Sequence, residues 1–267
     1  MKNFIRICLS FILIITLSSC SQKSQTTADL FEQINTNKKF TVGISHSTKP
    51  FGFINSLGQP DGFDVDLIKE IAVRIFDKDV FIEFKEVTPD NRIMKLNGKE
   101  VDVVISTMTI TNDRKRVVSF SRPYFLAGQA ILVNKNSKIY SAKDLANKKV
   151  GIVFGTTAEE NIKFVSADAE IVGFKNYNDA FRQLKNGNID AMTTDDTILY
   201  GIISENKDFR ILKERFSHEL YGIAFRKDDA SQSLKEHVNM ALSAMESEQK
   251  LEKLKRKWNI LIMKQHI

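Results

Sequence analysis

The chain has 267 residues, of which 42% are hydrophobic and 27% are charged, and its formal net charge is +6. This composition is typical of a folded globular protein. The positive charges lie in short clusters mixed with acidic residues, with no basic block beyond residues 253–257. The charge therefore indicates a solvated surface, with nucleic-acid binding as the weaker interpretation. Because the export signal described next removes that partner, we expect no nucleic acid.

The first twenty residues have the order of a secretory signal. Two basic residues precede an apolar run at 8–17, and two serines come directly before Cys20. The run is shorter than the roughly 20 apolar residues of a membrane-spanning helix, which disfavours a retained membrane helix. We predict that residues 1–19 are a signal peptide. Cys8 leaves with it, so that one cysteine and no internal disulfide remain.

The segment Leu17-Ser18-Ser19-Cys20 resembles the lipobox of bacterial lipoproteins. That resemblance implies lipidation of Cys20, an anchor in a membrane and a location outside the cytoplasm. The alternative is an ordinary signal peptide with a chance cysteine. Residues 20–39 are polar and lack periodicity, so we predict a lipidated N-terminus followed by a tether.

Strand and helix patterns alternate after residue 39. The first cycle predicts strands at 40–44, 80–84 and 101–105, and helices at 63–76 and 90–96. The second predicts strands at 130–133, 150–154 and 189–192, and helices at 157–164, 178–184 and 196–204. A strand at 220–225 and one helical stretch at 231–258 follow. This order predicts the α/β class.

A weak internal repeat indicates two similar lobes. Residues 96–103 and 184–191 share a leucine, an Asn-Gly helix stop and a strand that begins with a β-branched residue and an aspartate. Such features are common, so chance similarity stays open. Polar residues follow the two strands at equal distances: Ser106 and Thr107 in the first half, Thr194 and Asp195 in the second. Ligands bind beyond such strand ends, so these residues are predicted to line one cleft.

The candidate site residues suit a free amino acid, whose two buried charges must each be paired. Arg114 can bind a carboxylate in bidentate fashion, unless it is a surface arginine. Asp195 can bind an ammonium, although Asp196 beside it has similar chemistry. Thr156 and Thr157 follow Gly155 at a strand-to-helix turn, where they can bind an anion or cap the helix. Phe51 lies in a loop where it could cover a ligand.

Enzyme motifs are absent from the sequence. It contains no HExxH, no GxSxG and no GxGxxG, and its four histidines are scattered. We therefore expect no metal, no cofactor and no catalytic residue.

The chain resembles the bacterial extracellular solute-binding proteins of polar amino-acid ABC transporters, over residues 40–260. The matching segments are Gly62-Phe63-Asp64-Val65-Asp66-Leu67, 101–111 with Arg114, Phe120-Ser121-Arg122-Pro123-Tyr124, 150–157 and 190–195. The family implies a two-lobed periplasmic-binding-protein fold, in which two Rossmann-like lobes are joined by two hinge strands. Lobe 1 would comprise residues 40–125 and 221–267, and lobe 2 residues 126–220.

The resemblance also implies roles for the site residues. Arg114 would bind the α-carboxylate with Thr109 and the Thr156 amide, and Asp195 would bind the α-amino group with Ser106 or Thr107. Phe51 would stack on the ligand. A monomer would deliver the amino acid to an inner-membrane permease.

Specificity rests on Arg92. The segment Asn91-Arg92-Ile93 is similar to one in glutamate and aspartate binders, where the arginine meets the side-chain carboxylate. Acidic amino acids are therefore expected first, while cysteine, cystine or glutamine receptors share parts of the pattern. Two alternatives of another class are a periplasmic cyclohexadienyl or arogenate dehydratase and a chemosensory module. Because Asp195 stands where a receptor would use it, we expect no enzyme activity.

Overall fold

The computed structural model describes residues 28–204 and 206–260. The predicted signal peptide and Cys20 lie outside the described residues. Within these two ranges, no helix is long and apolar enough to cross a membrane.

The first half of the chain supplies four strands of a five-stranded sheet with helices packed against it, and a separate three-stranded sheet within residues 47–61. Its elements are α1 (Leu30–Asn37), β1 (Lys39–Ile44), β2 (Ser47–Thr48), β3 (Gly52–Ile54), β4 (Pro60–Asp61), α2 (Phe63–Ile75), β5 (Phe81–Glu86), α3 (Arg92–Asn97), β6 (Val103–Val104), α4 (Asn112–Val117), β7 (Val118–Phe120) and β8 (Phe125–Ala127). The helix predicted at 63–76 matches α2 to within one residue, because its apolar positions recur at helical spacing and face the core.

Residues 30–37 correct the prediction of a tether over 20–39. They form α1, whose N-terminus is capped by the Asp29 side chain, which accepts a hydrogen bond of 2.8 Å from the Phe31 amide. Leu30 and Ile34, four positions apart, are buried in the core. The partly buried Phe31 also packs against the core, but polar residues fill the rest of this helix and conceal its period.

The second half repeats the arrangement. Its elements are β9 (Gln129–Asn134), a 3-10 turn (Ala142–Leu145), β10 (Lys149–Val153), α5 (Ala158–Val165), β11 (Glu170–Phe174), α6 (Tyr177–Lys185), β12 (Ala191–Asp195), α7 (Asp196–Ile203), β13 (Phe209–Ile211) and β14 (Glu219–Tyr221). The chain then returns to the first sheet with β15 (Ala224–Arg226) and, after a 3-10 turn (Asp229–Ser231), ends in α8 (Gln232–Ser247) and α9 (Lys250–Lys257).

The two large sheets have the same topology. The first has the order β5-β1-β6-β15-β7 and the second β11-β10-β12-β9-β13. In each, the first three strands are parallel and the fourth is antiparallel to the third. This equivalence supports the internal repeat, because β6 and β12, the strands of the repeat, occupy the same central place.

Two adjacent chain segments connect the lobes. Strands β8 and β14 pair antiparallel, with Leu126 opposite Leu220. The predicted boundaries, after residue 125 and after residue 220, fall within this pair. Because β15 joins the first sheet, the chain passes between the lobes twice.

The C-terminal helical stretch is two helices and not the single one predicted over 231–258. Gln249 has a left-handed φ of 55° and separates α8 from α9. After this break, Leu251 and Leu254 of α9 are buried in the core.

Candidate ligand-binding site

A small cavity lies where the two lobes meet. Lobe 1 contributes Arg92, Thr107, Thr109 and Arg114, and lobe 2 contributes Gln129, Thr156, Thr157, Ala158, Tyr177, Thr194 and Asp195. Its free volume is about 10 Å³, room for about one water molecule. An amino acid is larger than that, so a ligand can enter only when the lobes separate.

Arg114 connects the lobes through its guanidinium. The N-cap Thr111 of α4 accepts a hydrogen bond of 3.2 Å from the Arg114 amide and fixes the start of this helix. The side-chain Nη1 then donates to the Thr109 carbonyl at 2.7 Å, and Nη2 donates to the Gly155 carbonyl at 2.8 Å. Burial lowers the pKa of Arg114, and the nearby Glu219 carboxylate opposes this effect.

Arg92 reaches the same carbonyl from the N-terminus of α3. It is only 2% exposed. Its Nη1 donates to the Ser106 carbonyl at 2.7 Å and its Nη2 to the Gly155 carbonyl at 3.3 Å, while Nε is buried without a hydrogen-bond partner among the described residues. Burial, and then the charge of Arg114, lower the pKa of Arg92 to about 9, so it is still a cation at neutral pH.

Asp195 supplies the opposite charge at the carboxyl end of β12. The Tyr221 hydroxyl donates a hydrogen bond to its Oδ2. Burial raises the pKa of Asp195 to about 7, and the nearby Glu219 carboxylate adds to the rise, while the hydrogen bond from Tyr221 opposes it. A cation that joined this carboxylate would restore its ionised form.

The threonines of the cavity have different partners. Thr107 and Thr109 are buried, on the lobe 1 wall. On the other wall, the Thr156 hydroxyl donates to the Val153 carbonyl at 2.7 Å and accepts from the Ala158 amide at 3.3 Å, so it holds the start of α5. The Thr157 hydroxyl donates to the Glu219 carboxylate at 3.0 Å.

Two predicted site residues do not line the cavity. Phe51 is fully buried in an aromatic cluster, with ring centroids 5.2 Å from Phe125, 5.6 Å from Tyr221 and 5.9 Å from Phe63. These three contacts direct its ring into the core, where it supports the tyrosine that binds Asp195. Ser106 also lies outside the lining residues, and its carbonyl holds Arg92.

The sequence did not single out Gln129 and Tyr177, which also line the cavity. Gln129 is fully buried opposite Asp195 in the sheet, and its Nε2 donates to the Thr193 hydroxyl at 2.9 Å. A polar side chain at the start of the apolar strand β9 is a signal that could have identified it. Tyr177 accepts a hydrogen bond of 3.3 Å from the Thr194 hydroxyl, and no motif in the sequence marks it.

Asp64 lies behind the cavity and was also missed. It is 1% exposed, its Oδ2 accepts a hydrogen bond of 3.1 Å from the Thr107 amide, and its Oδ1 accepts one of 3.1 Å from the Tyr124 hydroxyl. Thr107 has a φ of 44°, which β-branched residues rarely adopt. The carboxylate therefore braces a strained residue of the cavity wall. Burial raises the pKa of Asp64 to about 7.

Residues 40–260 match the family model of the bacterial extracellular solute-binding proteins, family 3. The chain belongs to this family. The two lobes of this solute-binding protein and the cavity between them agree with that membership, and the family's description places its members outside the cytoplasm. The described ranges contain no group of three or more side chains that could hold a metal ion.

Relatives of this solute-binding protein match it over most of their length. The ABC transporter glutamine-binding protein GlnH of Bacillus subtilis (strain 168) is 38% identical over 266 residues, 96% of this chain and 97% of that protein. A structure of an ancestral arginine-binding protein bound to glutamine is 41% identical with a TM-score of 0.77, and the match covers 83% of this chain and 97% of that one.

A third similar protein bears on the enzyme alternative. The crystal structure of the ancestral amino acid-binding protein AncCDT-1, a precursor of cyclohexadienyl dehydratase, is 37% identical with a TM-score of 0.78. The match covers 85% of this solute-binding protein and 98% of that chain.

Proposed function

We propose that this protein is the amino-acid-binding component of an ABC importer and that its ligand is glutamate or glutamine. The observation that carries the proposal is the meeting of two guanidiniums, those of Arg92 and Arg114, at the edge of a cavity that also holds the Asp195 carboxylate. The names of similar proteins support an amino acid as the ligand and an ABC transporter as the partner.

The zwitterion fits the two charged walls. When the lobes separate, the Arg114 guanidinium loses the Gly155 carbonyl and becomes free to bind an α-carboxylate with two parallel hydrogen bonds. The α-ammonium then pairs with Asp195, whose pKa of about 7 falls when a cation approaches. Each buried charge of the ligand thus has a partner of opposite sign.

Arg92 is assigned to the ligand's side chain. In the described part of the chain, neither Arg92 nor Arg114 forms an ion pair with a carboxylate, and the Arg92 Nε has no hydrogen-bond partner. An oxygen at the end of the ligand's side chain would satisfy this buried donor. The cavity lining has two guanidiniums and one carboxylate, which favours glutamate. The glutamine-binding relative and the related structure bound to glutamine favour glutamine, whose amide oxygen can accept the same hydrogen bond.

Calorimetry on the purified protein with glutamate, glutamine, aspartate, cystine, histidine and arginine tests this assignment. We expect glutamate or glutamine to bind most tightly. The change Arg92→Met should weaken the binding of both by about ten- to a hundred-fold, since it removes charge-assisted hydrogen bonds. Arg116→Met is the matched control, because the Arg116 side chain is 78% exposed.

Three results would contradict the proposal. Cystine, histidine or arginine could bind best, or the Arg92→Met protein could keep its preference for glutamate and glutamine. Conversion of prephenate or arogenate by the unaltered protein would instead favour the dehydratase, whereas we propose that the ligand is released unchanged.

We also propose that Cys20 carries a lipid that holds the protein at a membrane, on the basis of the signal sequence before it. Mass spectrometry of the N-terminal peptide from the exported protein tests this. An unmodified Cys20 would disprove the anchor and leave the ligand assignment untouched.

A further inference from the structure

Two glycines of lobe 2 lie against the backbone of lobe 1, on two sides of the interface. A Cβ atom placed on Gly155 would overlap the Pro89 carbonyl and lie 2.6 Å from the Asp90 Cα. A Cβ placed on Gly201 would overlap the Lys49 carbonyl oxygen and lie 2.8 Å from the carbonyl carbon of the same residue. Real Cβ atoms essentially never come closer than 3.0 Å to such atoms, so neither position accepts a side chain while the lobes are in contact.

The two glycines differ in what their own lobe requires. Gly155 has a φ of 75°, a conformation that favours glycine whatever surrounds it. Gly201 lies inside α7 with no positive φ, and glycine is among the weakest helix formers there. Lobe 2 alone therefore gives no reason for a glycine at 201, and the reason lies in the backbone of lobe 1.

Helix α7 connects this contact to the ligand site. It begins at Asp196, directly after the Asp195 carboxylate that we assign to the ligand's ammonium. Because a short helix is stiff, a displacement at Gly201 is carried to its N-terminus. On the other side of the cavity, Arg92 and Arg114 of lobe 1 donate hydrogen bonds to the Gly155 carbonyl of lobe 2.

We propose that Gly201 is the position that allows the two lobes to approach each other closely around the ligand site. The missing side chain lets α7 lie directly on the Lys49 carbonyl and the Pro50 ring, whose Cδ would be 3.3 Å from a Cβ at position 201. This inference rests on the amino-acid-binding function proposed above. It assigns Gly201 a positioning role for Asp195, without any contact with the ligand.

The test compares Gly201→Ala and Gly201→Leu with the unaltered protein. Alanine and leucine are better helix formers than glycine, so the unfolding midpoint of the ligand-free protein should be unchanged or higher. Affinity for the amino acid that binds the unaltered protein best should fall by about ten- to a hundred-fold, and further for leucine than for alanine, because Asp195 no longer reaches the ammonium. Small-angle X-ray scattering with saturating ligand should show less compaction than in the unaltered protein.

Gly187→Ala is the matched control in the same lobe. Gly187 has a φ of 73°, and a Cβ at this position would have nothing within 4 Å. Alanine there is strained but does not touch lobe 1, so the unfolding midpoint should fall while ligand affinity stays as it is. Gly201→Ala should therefore lower ligand affinity without lowering the unfolding midpoint, and Gly187→Ala should lower the unfolding midpoint without lowering ligand affinity.

Unaltered affinity and compaction in Gly201→Ala would overturn the proposal. So would a lower unfolding midpoint of that variant, since the loss of affinity would then come from damage to lobe 2. If the unaltered protein binds no amino acid, the proposed function is wrong. If the unaltered protein binds one and Gly201→Ala binds it equally well, only the role of Gly201 is wrong.

Discussion

A buried aspartate with a tyrosine partner lies near the end of each of the equivalent strands β6 and β12, with different outcomes. Asp64 belongs to α2, whereas Asp195 is the last residue of β12 itself. Near the end of β6, Asp64 accepts a hydrogen bond from the Tyr124 hydroxyl, and at the end of β12, Asp195 accepts one from the Tyr221 hydroxyl. Both carboxyls are buried, and burial raises the pKa of each to about 7. Only Asp195 lines the cavity.

The difference lies in the second oxygen of each carboxylate. Asp64 uses both, since its Oδ2 accepts from the Thr107 amide and its Oδ1 from Tyr124. Asp195 has one oxygen bonded to Tyr221, and its side chain makes no capping hydrogen bond to α7. A buried carboxylate with unused acceptor capacity, facing a cavity, is suited to a ligand, whereas a saturated one is a brace.

The largest expected effect is the loss of binding in Asp195→Asn. Removing the charge from one partner of a buried ion pair costs about 2 to 5 kcal/mol, so affinity for the ligand should fall by roughly thirty- to several-thousand-fold. The ligand-free protein should be no less stable at pH 8, because a buried carboxylate is disfavoured there. Calorimetry and thermal unfolding measure both quantities.

Asp168→Asn is the control for this change, since Asp168 is an exposed aspartate of the same lobe. It should bind with the affinity of the unaltered protein. If Asp195→Asn binds the ligand as tightly as the unaltered protein does, Asp195 is not a ligand-binding residue and does not differ from Asp64 in this respect.

A smaller expected effect is the pH dependence of ligand affinity, which should depend on Asp195 and not on Asp64. The ligand's ammonium needs the ionised Asp195, which is protonated in the free protein below its pKa of about 7. Affinity should therefore fall by up to about tenfold per pH unit as the pH drops from 7 towards 5. Asp64→Asn should keep this slope and Asp195→Asn should lose it, as measured by calorimetry from pH 5 to 8. Equal slopes in both variants would contradict the comparison.

The free energy of unfolding should rise as the pH falls, whereas ligand affinity should fall. Both carboxyls have a pKa of about 7 when folded and ordinary values near 3.8, so the folded protein holds more protons between these limits. Their contribution to the free energy of unfolding is fully present below pH 3.8. It decreases by about 1.4 kcal/mol per pH unit for each group between pH 3.8 and 7, and it is lost above pH 7.

The sequence predicted the parts of the site that follow from strand periodicity. The register of the internal repeat identified Thr107 and Asp195, and the motif after β6 identified Thr109 and Arg114. Local pattern could not show whether a side chain faces the cavity or the core, so Phe51 was assigned to the ligand although three aromatic neighbours enclose it.

Contacts between distant segments explain what the sequence analysis missed. Asp64 acquires its role only through Thr107, which lies 43 residues further along the chain. The helix α1 was missed for a related reason, since only Leu30 and Ile34 are fully buried and two apolar residues do not define a period.

The packing of α1 attaches the N-terminal segment to one of the two lobes. Its Phe31 ring stacks on His237 of α8 with centroids 3.9 Å apart, which fastens the N-terminal segment to lobe 1. The N-terminal segment is thus part of lobe 1, and lobe 2 is connected to it through the paired strands β8 and β14. In the proposed movement of the lobes, the N-terminal segment therefore stays with lobe 1 and its arginines, while Asp195 moves with lobe 2.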